Sequence, residues 1–378
     1  MRATTKLLRE LIALPSVNPA FLPDHEAYTG EKQAADFVSA TAASAGLDVE
    51  LQEVFPKRPN VIVRYTPAGK VRQRILLVPH LDTVGGDLIP GALFKPRIRN
   101  GRLHGRGACD TKGSVAAMLS ALVRLVDSPR RSKHSEIIFA GLVDEEHGQS
   151  GSRALVRTRL RADLAIVGEP TRLEVVSAHK GNLWLKLETR GKSAHGARPE
   201  LGRNAVHAMA RIVDLLETEY SAALRRRHHP LLGRPTVSVG AIVGGNQANI
   251  VPAYCAIQVD RRTLPGETEA SVRAEIERLL AKHALTATMV DTKEAPCWPM
   301  QTDPRLPLVQ QFLRSIGRKK TVGVDFFCDA SVLSRGGIPS IVFGPGDIAQ
   351  AHTADEWISL RSLERGTDLL TRFLLSLE

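Results

Sequence analysis

Hydrophobic and polar positions follow two rhythms along the first half of the chain. Short apolar runs that fit buried β-strands are separated by segments whose apolar residues recur at helical spacing. The apolar runs are Asn60–Tyr65, Arg74–Pro79, Ile137–Val143 and Leu164–Val167, and the helical segments are Thr5–Leu14, Gly30–Ala45 and Thr111–Val126. Strands that alternate with helices predict a layered α/β domain, in which helices cover a sheet of buried strands.

The rhythm changes between residues 180 and 290. Here the pattern predicts strand, helix, two strands, helix and strand. These six segments are Leu183–Thr189, Asn204–Tyr220, Thr236–Val243, Tyr254–Arg261, Glu267–His283 and Leu285–Val290. The order β-α-β-β-α-β is typical of a split βαβ module, with two helices on one face of a four-stranded sheet.

The last part of the chain returns to the first rhythm. It contains a helix (Leu306–Ile316), an apolar strand (Ser340–Phe343) and a terminal helix (Leu360–Leu377). We therefore predict one discontinuous α/β domain, formed by residues 1–179 and 294–378. A smaller domain of residues 180–293 interrupts it.

Basic residues outnumber acidic ones, and the formal net charge at pH 7 is +11. Such a charge is compatible with nucleic-acid binding, but aromatic residues make up only 4% of the chain and the basic clusters lie beside prolines. Stacking platforms for bases are therefore not evident. We expect no specific nucleic-acid partner, and a basic surface that attracts anionic substrates.

The sequence also bears on the compartment. No apolar run approaches the roughly 18 residues that a membrane-spanning helix needs, and the N-terminal residues fit an amphipathic helix rather than a signal peptide. The cysteines, Cys109, Cys255, Cys297 and Cys328, include no close pair. We expect no disulfide framework, no membrane partner and a cytoplasmic location.

Motifs of several large enzyme classes are absent from the sequence. It has no G-x-S-x-G nucleophile elbow, no H-E-x-x-H segment and no complete phosphate-binding loop. The stretch Gly191-Lys192-Ser193 lacks the upstream glycine of such a loop, because Lys186 stands at that position. The corresponding hydrolases and nucleotide-binding enzymes are therefore disfavoured.

Histidines and acidic residues stand where the buried strands end. His80 and Asp82 follow Arg74–Pro79, and the acidic triplet 144–146 follows Ile137–Val143. Residues two apart in an extended segment point to the same side, so His80 could bind a metal while Asp82 orients its ring. Adjacent side chains diverge, so one carboxylate of the triplet could bind a metal while its neighbour holds an attacking water.

Three further residues continue this pattern. Asp110 lies in a loop with three glycines, residues 105–113, which leads into a helix. Glycines around one carboxylate suggest a backbone held close to a ligand, and the two oxygens of Asp110 can bridge two cations. Glu169 follows Leu164–Val167, and His352 follows the last apolar strand.

Each feature also has a structural explanation. The His-x-Asp pair could be a polar strand end, Asp110 a helix N-cap and the acidic triplet a solvated turn. However, five strand-end positions in one α/β domain fit the rule that ligands collect at the carboxyl ends of parallel strands. The combination therefore favours one site assembled from distant parts of the sequence.

The order of these motifs resembles the M20 metallopeptidase family, which includes acetylornithine deacetylase, succinyl-diaminopimelate desuccinylase, aminoacylases and carboxypeptidase G2. The resemblance covers essentially the whole chain, through HLDTV, GRGACDTKG, DEEHG, GEPT, SAHGARPELGRNA, NIVPA, CDAS and AHTADE. It implies a zinc-exopeptidase-like catalytic domain, with a mixed sheet flanked by helices. It also implies that residues 180–293 are an inserted ferredoxin-like βαββαβ lid and dimerisation domain.

The resemblance implies a set of metal ligands and a general base. Asp110 would bridge two divalent ions, zinc above all, with cobalt and manganese as alternatives. The other implied ligands are His80 and Glu169 for one ion and Glu146 and His352 for the other. Glu145 would be the general acid and base, and Asp82 would orient His80.

Residues of the inserted domain would complete the site. His195 matches the histidine that, in dimeric relatives, reaches the partner's active site and stabilises the oxyanion. Asn249 and Arg262 match positions that bind polar groups and the carboxylate of the substrate, with Arg261 as the alternative arginine. A homodimer formed through the inserted domain is implied in the same way.

The implied activity is metal-dependent hydrolysis of the amide bond in a small N-acyl-amino acid, as in acetylornithine deacetylase or succinyl-diaminopimelate desuccinylase. An exopeptidase of the same family, acting on dipeptides or at a carboxyl terminus, is the alternative. A non-catalytic relative and a basic nucleic-acid binder are the rival classes.

This sequence departs from the family pattern at Cys109, which precedes Asp110, and in the segment 326–330, which contains Cys328. We do not expect either thiol to bind metal, because the other ligands suffice.

Overall fold

The computed structural model of the protein describes residues 2–23, 25–86, 90–292 and 295–377, with Pro90 and Asp291 described by their backbone alone. Within these residues the helices are α1 (Ala3–Ala13), α2 (Lys32–Ser44), α3 (Pro90–Leu93), α4 (Lys112–Val126), α5 (Ser150–Arg157), α6 (Ala205–Leu215), α7 (Ser221–Arg225), α8 (Glu269–Lys282), α9 (Pro307–Ile316), α10 (Ala330–Arg335) and α11 (Leu360–Leu375). Short 3₁₀ turns occupy Pro199–Leu201 and Ile348–Gln350, and a π-helical turn, Leu216–Tyr220, joins α6 to α7.

The strands in the same residues are β1 (Asp48–Phe55), β2 (Arg58–Tyr65), β3 (Gln73–Val78), β4 (Arg97–Arg99), β5 (Arg102–His104), β6 (Ser135–Gly141), β7 (Leu164–Val167), β8 (Val176–His179), β9 (Gly181–Arg190), β10 (Thr236–Gly244), β11 (Tyr254–Thr263), β12 (Thr288–Asp291), β13 (Met300–Gln301), β14 (Val322–Val324), β15 (Ser340–Val342) and β16 (Trp357–Ser359). None of the helices in the described ranges is long and apolar enough to cross a membrane.

The chain divides into two compact units. Unit 1 comprises Met1–Ser177, Gln301–Val322 and Cys328–Glu378, and unit 2 comprises Ala178–Met300 and Gly323–Phe327. The domain boundary predicted between residues 293 and 294 falls outside the described residues. The predicted division at 179/180 and 293/294 stays a prediction.

The large sheet has the order β1-β2-β6-β3-β7-β15-β8-β13 in the described residues, and β14 pairs with β8. At its centre β3 runs parallel to both β6 and β7, and β15 runs parallel to β7. The edge pairs β1–β2 and β2–β6 are antiparallel, so the sheet is mixed. The four central strands therefore end at the same edge.

Apolar side chains explain why these strands are central. β6 is buried at every position, and so is β7, as expected for strands covered by helices on both faces. One of the covering helices, α4, is buried at every residue from Lys112 to Leu122 and packs against α1 and α11. Phe312 joins α9 to this core through edge-to-face contacts with Phe343 and Phe373, at 5.1 and 4.9 Å between ring centroids.

Unit 2 has its own sheet and core. Its sheet has the order β10-β11-β9-β12, and the apolar side chains of β9 and β11 pack with those of α6 and α8. The predicted β-α-β-β-α-β order is confirmed. The first helix reaches its predicted end, Tyr220, through the π-helical turn, and α7 continues it as far as Arg225.

The predicted fold class, an α/β structure with a mixed sheet flanked by helices, is also confirmed. The sequence pattern missed several elements, and β1 is the longest missed strand. Its residues are exposed or half-buried throughout, because β1 lies at the edge of the sheet, so it has no apolar run to indicate it.

Candidate metal centre

His80 follows β3 and lies at the edge where the parallel strands end. Its imidazole is buried, with Nδ1 3.0 Å from the backbone carbonyl oxygen of Asp82 and Nε2 3.1 Å from Asp110 Oδ1. A carbonyl oxygen only accepts hydrogen bonds, so Nδ1 carries a proton. In the neutral ring the lone pair of Nε2 therefore faces Asp110. The carboxylate of Asp82 is farther from Nδ1, at 3.4 Å.

Loops from distant parts of the chain bring two sets of three side chains together. In the first set the ligand atoms of His80, Asp110 and Glu169 all lie within 4.8 Å of one another. The ligand atoms of Asp110, Glu146 and His352 do the same in the second set. Asp110 belongs to both, because its Oδ1 lies beside His80 and its Oδ2 lies 3.3 Å from His352 Nε2. The sequence-predicted ligands are thus neighbours in unit 1.

His352 reaches this cluster from an unusual backbone conformation. Its φ is 61°, in the left-handed region that residues other than glycine seldom occupy. The Nε2 atom lies 3.0 Å from Glu146 Oε2. An unfavourable backbone conformation at a residue that meets two carboxylates is typical of a functional site.

The carboxylates of the cluster raise one another's pKa. Burial raises the pKa of Glu146 to about 7, and the nearby Asp110 adds to the shift. Burial also raises the pKa of Glu145 and of Glu169 well above the usual range, and neighbouring carboxylates act in the same direction. So much negative charge in a buried space is unfavourable without positive charge beside it.

The histidines supply part of that positive charge. Hydrogen bonds to Asp110 and Glu146 raise the pKa of His352 to about 10. Burial opposes the charged form of His80, but hydrogen bonds with Asp110 and Asp82 outweigh it and hold its pKa well above the usual range. Burial would likewise raise the pKa of Asp110, yet its hydrogen bonds to the two imidazoles lower it.

One buried oxygen shows that protons on the histidines do not satisfy the cluster. Glu146 Oε1 is buried and has no hydrogen-bond partner among the described residues. An unpaired carboxylate oxygen beside mixed imidazole and carboxylate donors fits divalent metal ions, which take both kinds of ligand. The residues therefore fit metal binding at this cluster.

Asp82 holds the loop that follows β6. Its Oδ1 accepts a hydrogen bond from the backbone N–H of Glu145, and its Oδ2 accepts one from that of Glu146, both at 3.1 Å. Asn18 also donates to Oδ2, at 2.8 Å, and to Asp144 Oδ1, at 2.9 Å. Asp82 thereby fixes the backbone of Glu145 and of Glu146, and it also contacts His80.

The sequence pattern did not indicate the two residues that support this loop, Arg58 and Glu31. Arg58 forms a two-pronged ion pair with the buried Glu31, at 2.6 and 2.7 Å, and lies 3.5 Å from Asp144. Burial raises the pKa of Glu31 even though Arg58 lowers it. The isolated residues carry no motif, so only their contacts reveal that they support Asp144, whose φ is 66°.

Two further buried carboxylates were missed. Glu356 contacts the Asp110 loop, and Asp329 accepts a hydrogen bond from Ser152 at 2.5 Å. Burial raises the pKa of Asp329 to about 7, against the hydrogen bond from Ser152. Both stand in motifs quoted above, AHTADE and CDAS, but nothing in the sequence pattern distinguishes them from surface carboxylates.

The two thiols near the cluster lie in buried positions. The Cys109 thiol donates to the backbone oxygen of Asp347 at 3.2 Å. Burial raises the pKa of Cys109, and it raises that of Cys328 well above the usual range. Both groups are therefore neutral thiols, and neither belongs to the two ligand sets found in the described residues.

The predicted substrate residues of unit 2 differ in their surroundings. His195 is exposed, and the backbone N–H of Ala197 donates to its Nδ1 at 3.1 Å. In the neutral ring the proton is therefore on Nε2, which is free to donate. Asn249 is exposed too, and its backbone carbonyl oxygen accepts a hydrogen bond from the N–H of Gly196 at 2.7 Å.

The adjacent arginines on β11 point to opposite faces of the sheet. Arg261 is fully buried, ion-paired with Glu267 at 2.6 Å and hydrogen-bonded to Tyr220. Arg262 is half-exposed and pairs with Asp260 at 3.0 Å. Only Arg262 therefore has a guanidinium that a ligand could approach.

Comparison with known proteins identifies the family. The sequence profile of Peptidase family M20/M25/M40 matches residues 76–376. An acetylornithine deacetylase of Myxococcus xanthus is 31% identical over 349 residues, which cover 89% of this chain and 90% of that protein.

Solved structures share the fold. The aminopeptidase PepT of Bacillus cereus superposes with a TM-score of 0.81 at 22% identity, over 98% of this chain and 97% of that one. A dinuclear metal-binding peptidase of the M20 family from Bacillus subtilis superposes with a TM-score of 0.72 at 12% identity, over 98% and 96% of the two chains. This protein belongs to peptidase family M20/M25/M40. It is a hydrolase, a metal-dependent amidohydrolase of that family.

We predict that divalent metal stabilises the folded protein. A ligand that binds only the folded state adds about 2.7 kcal/mol when its free concentration is 100 times Kd. Thermal unfolding of the metal-free chain in chelator-buffered zinc should therefore show a Tm that rises with free zinc. The variant Asp110→Asn, which weakens both ligand sets, should lose most of the rise. An unchanged Tm with zinc, cobalt and manganese would contradict metal binding at this cluster.

Proposed function

We propose that the protein hydrolyses the amide bond of a small N-acyl-amino acid at a centre of two divalent metal ions, zinc in the first instance, with cobalt and manganese as alternatives. The observation that carries the proposal is the position of Asp110. Its Oδ1 faces His80 and its Oδ2 faces His352. The name of the Myxococcus xanthus relative, an acetylornithine deacetylase, supports acyl-amino acids over peptides.

Each ion would have its own residues. His80 and Glu169 would hold one, Glu146 and His352 would hold the other, and Asp110 would bridge them. With three protein ligands, each ion would keep a position free for substrate or water, as catalytic sites require. The chemistry that the bound ions supply is Lewis acidity, which activates water and polarises the scissile carbonyl.

Glu145 is the proposed general base. Asp82 fixes its backbone, and its carboxylate lies near those of Glu169, Glu146 and Asp329 without belonging to either ligand set. With bound cations to offset the burial and the neighbouring carboxylates that raise its pKa, Glu145 would be available to take a proton from the attacking water at its carboxylate oxygen. The same oxygen then returns the proton to the nitrogen of the leaving amine.

Residues of unit 2 would recognise the substrate. His195 Nε2–H would donate to the developing oxyanion, and Asn249 would bind polar groups of the substrate. Arg262 would pair with the free carboxylate, because its guanidinium is accessible while that of Arg261 is buried in an ion pair. The substrate class follows from Arg262, since an arginine favours a carboxylate with two parallel hydrogen bonds.

Two further proposals concern assembly and location. We propose a homodimer formed through unit 2, where the edge strand β10 exposes Ile242 and Val243 by 56% and 70%. An exposed apolar edge strand favours pairing with another chain. The four cysteines, all among the described residues, form no disulfide, which supports a reducing compartment such as the cytoplasm.

We predict a preference for acyl-amino acids in a substrate panel. The zinc- or cobalt-loaded enzyme is assayed with N-acetyl-ornithine, N-succinyl-diaminopimelate and several dipeptides. We expect kcat/KM for at least one acyl-amino acid to exceed that for every dipeptide by tenfold or more, which corresponds to about 1.4 kcal/mol. A dipeptide as the best substrate would favour an exopeptidase instead. Hydrolysis of none by the metal-loaded protein would contradict both.

We also predict the effect of Glu145→Gln. The amide cannot accept a proton, so kcat should fall by about 10²–10⁴-fold, the usual contribution of a general base. Metal content, measured by elemental analysis, should stay unchanged. Glu50→Gln, which alters an exposed carboxylate of the same unit, serves as the matched control. Near-normal turnover by Glu145→Gln would exclude Glu145 as the base.

A further inference from the structure

Glu356 has an unusual number of hydrogen-bond donors around its carboxylate. Its Oε1 accepts from the backbone N–H groups of Cys109, at 2.8 Å, and Asp110, at 3.0 Å. Its Oε2 accepts from the backbone N–H of Gly107 and from Arg106 Nη1, both at 2.9 Å. The side chain is 2% exposed, so water does not compete for these bonds.

These contacts join the loop of Asp110 to the segment that carries His352. Glu356 follows His352 by four residues, and its own carbonyl oxygen accepts from Gly105 N–H at 3.0 Å. Arg106 Nη1 also donates to the carbonyl oxygen of Thr353, at 3.1 Å. The two segments are therefore held together at Thr353 and at Glu356.

The residues whose backbone is held in this way are candidate ligands or their neighbours. The backbone of Asp110 is held directly, and that of His352 is held through the adjacent Thr353. Both side chains belong to the set that includes Glu146, in which Asp110 Oδ2 lies 3.3 Å from His352 Nε2. The left-handed φ of His352, 61°, also requires that the segment around it be held.

We infer that Glu356 is a positioning residue that fixes Asp110 and His352 in the geometry that binds the second metal ion, the one shared with Glu146. The inference rests on the dinuclear centre proposed above. Glu356 belongs to neither ligand set found in the described residues, and it acts through hydrogen bonds to the backbone, including the N–H of Asp110. Its role parallels that of Asp82, which accepts hydrogen bonds from the backbone of the Glu146 loop.

Only a carboxylate of this length satisfies all the donors. Glutamine keeps one accepting oxygen, but its amide group donates and would face two N–H donors. Two donors would then stay unpaired in a buried position, and the loop would move to find other partners. Aspartate keeps both oxygens but is shorter by one methylene, so it cannot reach both pairs in the same place.

The test measures metal binding rather than activity. Wild-type protein, Glu356→Gln and Glu364→Gln are dialysed against zinc at graded free concentrations set by a chelator, and bound zinc is measured by elemental analysis. Glu364 is the matched control, because it is also buried and accepts a hydrogen bond from Thr5, but it contacts no residue of the cluster in the described chain. Thermal unfolding of the metal-free variants checks that each is folded.

We expect wild-type protein and Glu364→Gln to bind two equivalents with the same affinities. In Glu356→Gln the ion held by Asp110, Glu146 and His352 should bind 10- to 100-fold less tightly, the usual effect of removing a residue that orients a ligand, so at least one of the two measured affinities should fall by that factor. The cobalt-loaded variant should also show an altered visible spectrum, since the coordination geometry changes. If Glu356→Gln does not fold, Glu356→Asp replaces it, with a weakening of zinc binding expected in the same direction.

The outcomes separate this inference from the proposed function. Binding of both equivalents with wild-type affinity by a folded Glu356 variant overturns the positioning role and leaves the dinuclear centre intact. An equal loss in Glu364→Gln also overturns it, because the effect would then follow from burial of any altered glutamate. Wild-type protein that binds fewer than two equivalents contradicts the dinuclear centre itself.

Discussion

The carboxylates of Asp110, Glu146 and Glu169 share a buried space with the imidazoles of His80 and His352, and the mutual repulsion of these carboxylates constrains the loops around them. Such charges stay ionised in a protein interior only beside positive charge or donated hydrogen bonds. Protons on His80 and His352 meet part of this requirement in the metal-free chain. The unpaired oxygen of Glu146 shows where it is not met. In the proposed function, bound divalent cations would remove this conflict and would make the cluster useful for hydrolysis.

Holding like charges together requires rigid loops, and the same kind of hydrogen-bonded contact holds two of them. Asp82 accepts the backbone N–H groups of Glu145 and Glu146, and Glu356 accepts those of Cys109 and Asp110. In each case a buried carboxylate fixes the main chain beside a candidate ligand, so the ligand's own side chain remains free to meet a metal. The parallel strands β3, β6 and β7 bring His80, Glu146 and Glu169 to one edge of the sheet. The loop between β5 and α4 brings Asp110 to them, and the segment before β16 brings His352.

The sequence predicted the parts of this arrangement that leave a local pattern. Buried strands appear as apolar runs, and the residues directly after them, such as His80 and Glu169, could be singled out because strand ends collect ligands in α/β folds. Edge strands such as β1 leave no such run. Supporting residues could not be recognised from the sequence. Glu356 matters because it accepts hydrogen bonds from backbone more than a hundred residues away. Arg58 and Glu31 matter because they pair with each other, and neither stands in a motif. The choice between Arg261 and Arg262 also needed the structure, since strand alternation alone does not say which face is covered.

The most direct test of the account is a crystal structure of the zinc-loaded protein, with anomalous diffraction recorded at the zinc absorption edge. We expect two anomalous peaks on opposite sides of the Asp110 carboxylate, one reached by His80 and Glu169 and the other by Glu146 and His352. Peaks elsewhere in the molecule, or none within bonding distance of Asp110, would contradict the claim that this buried carboxylate cluster is a dinuclear metal centre.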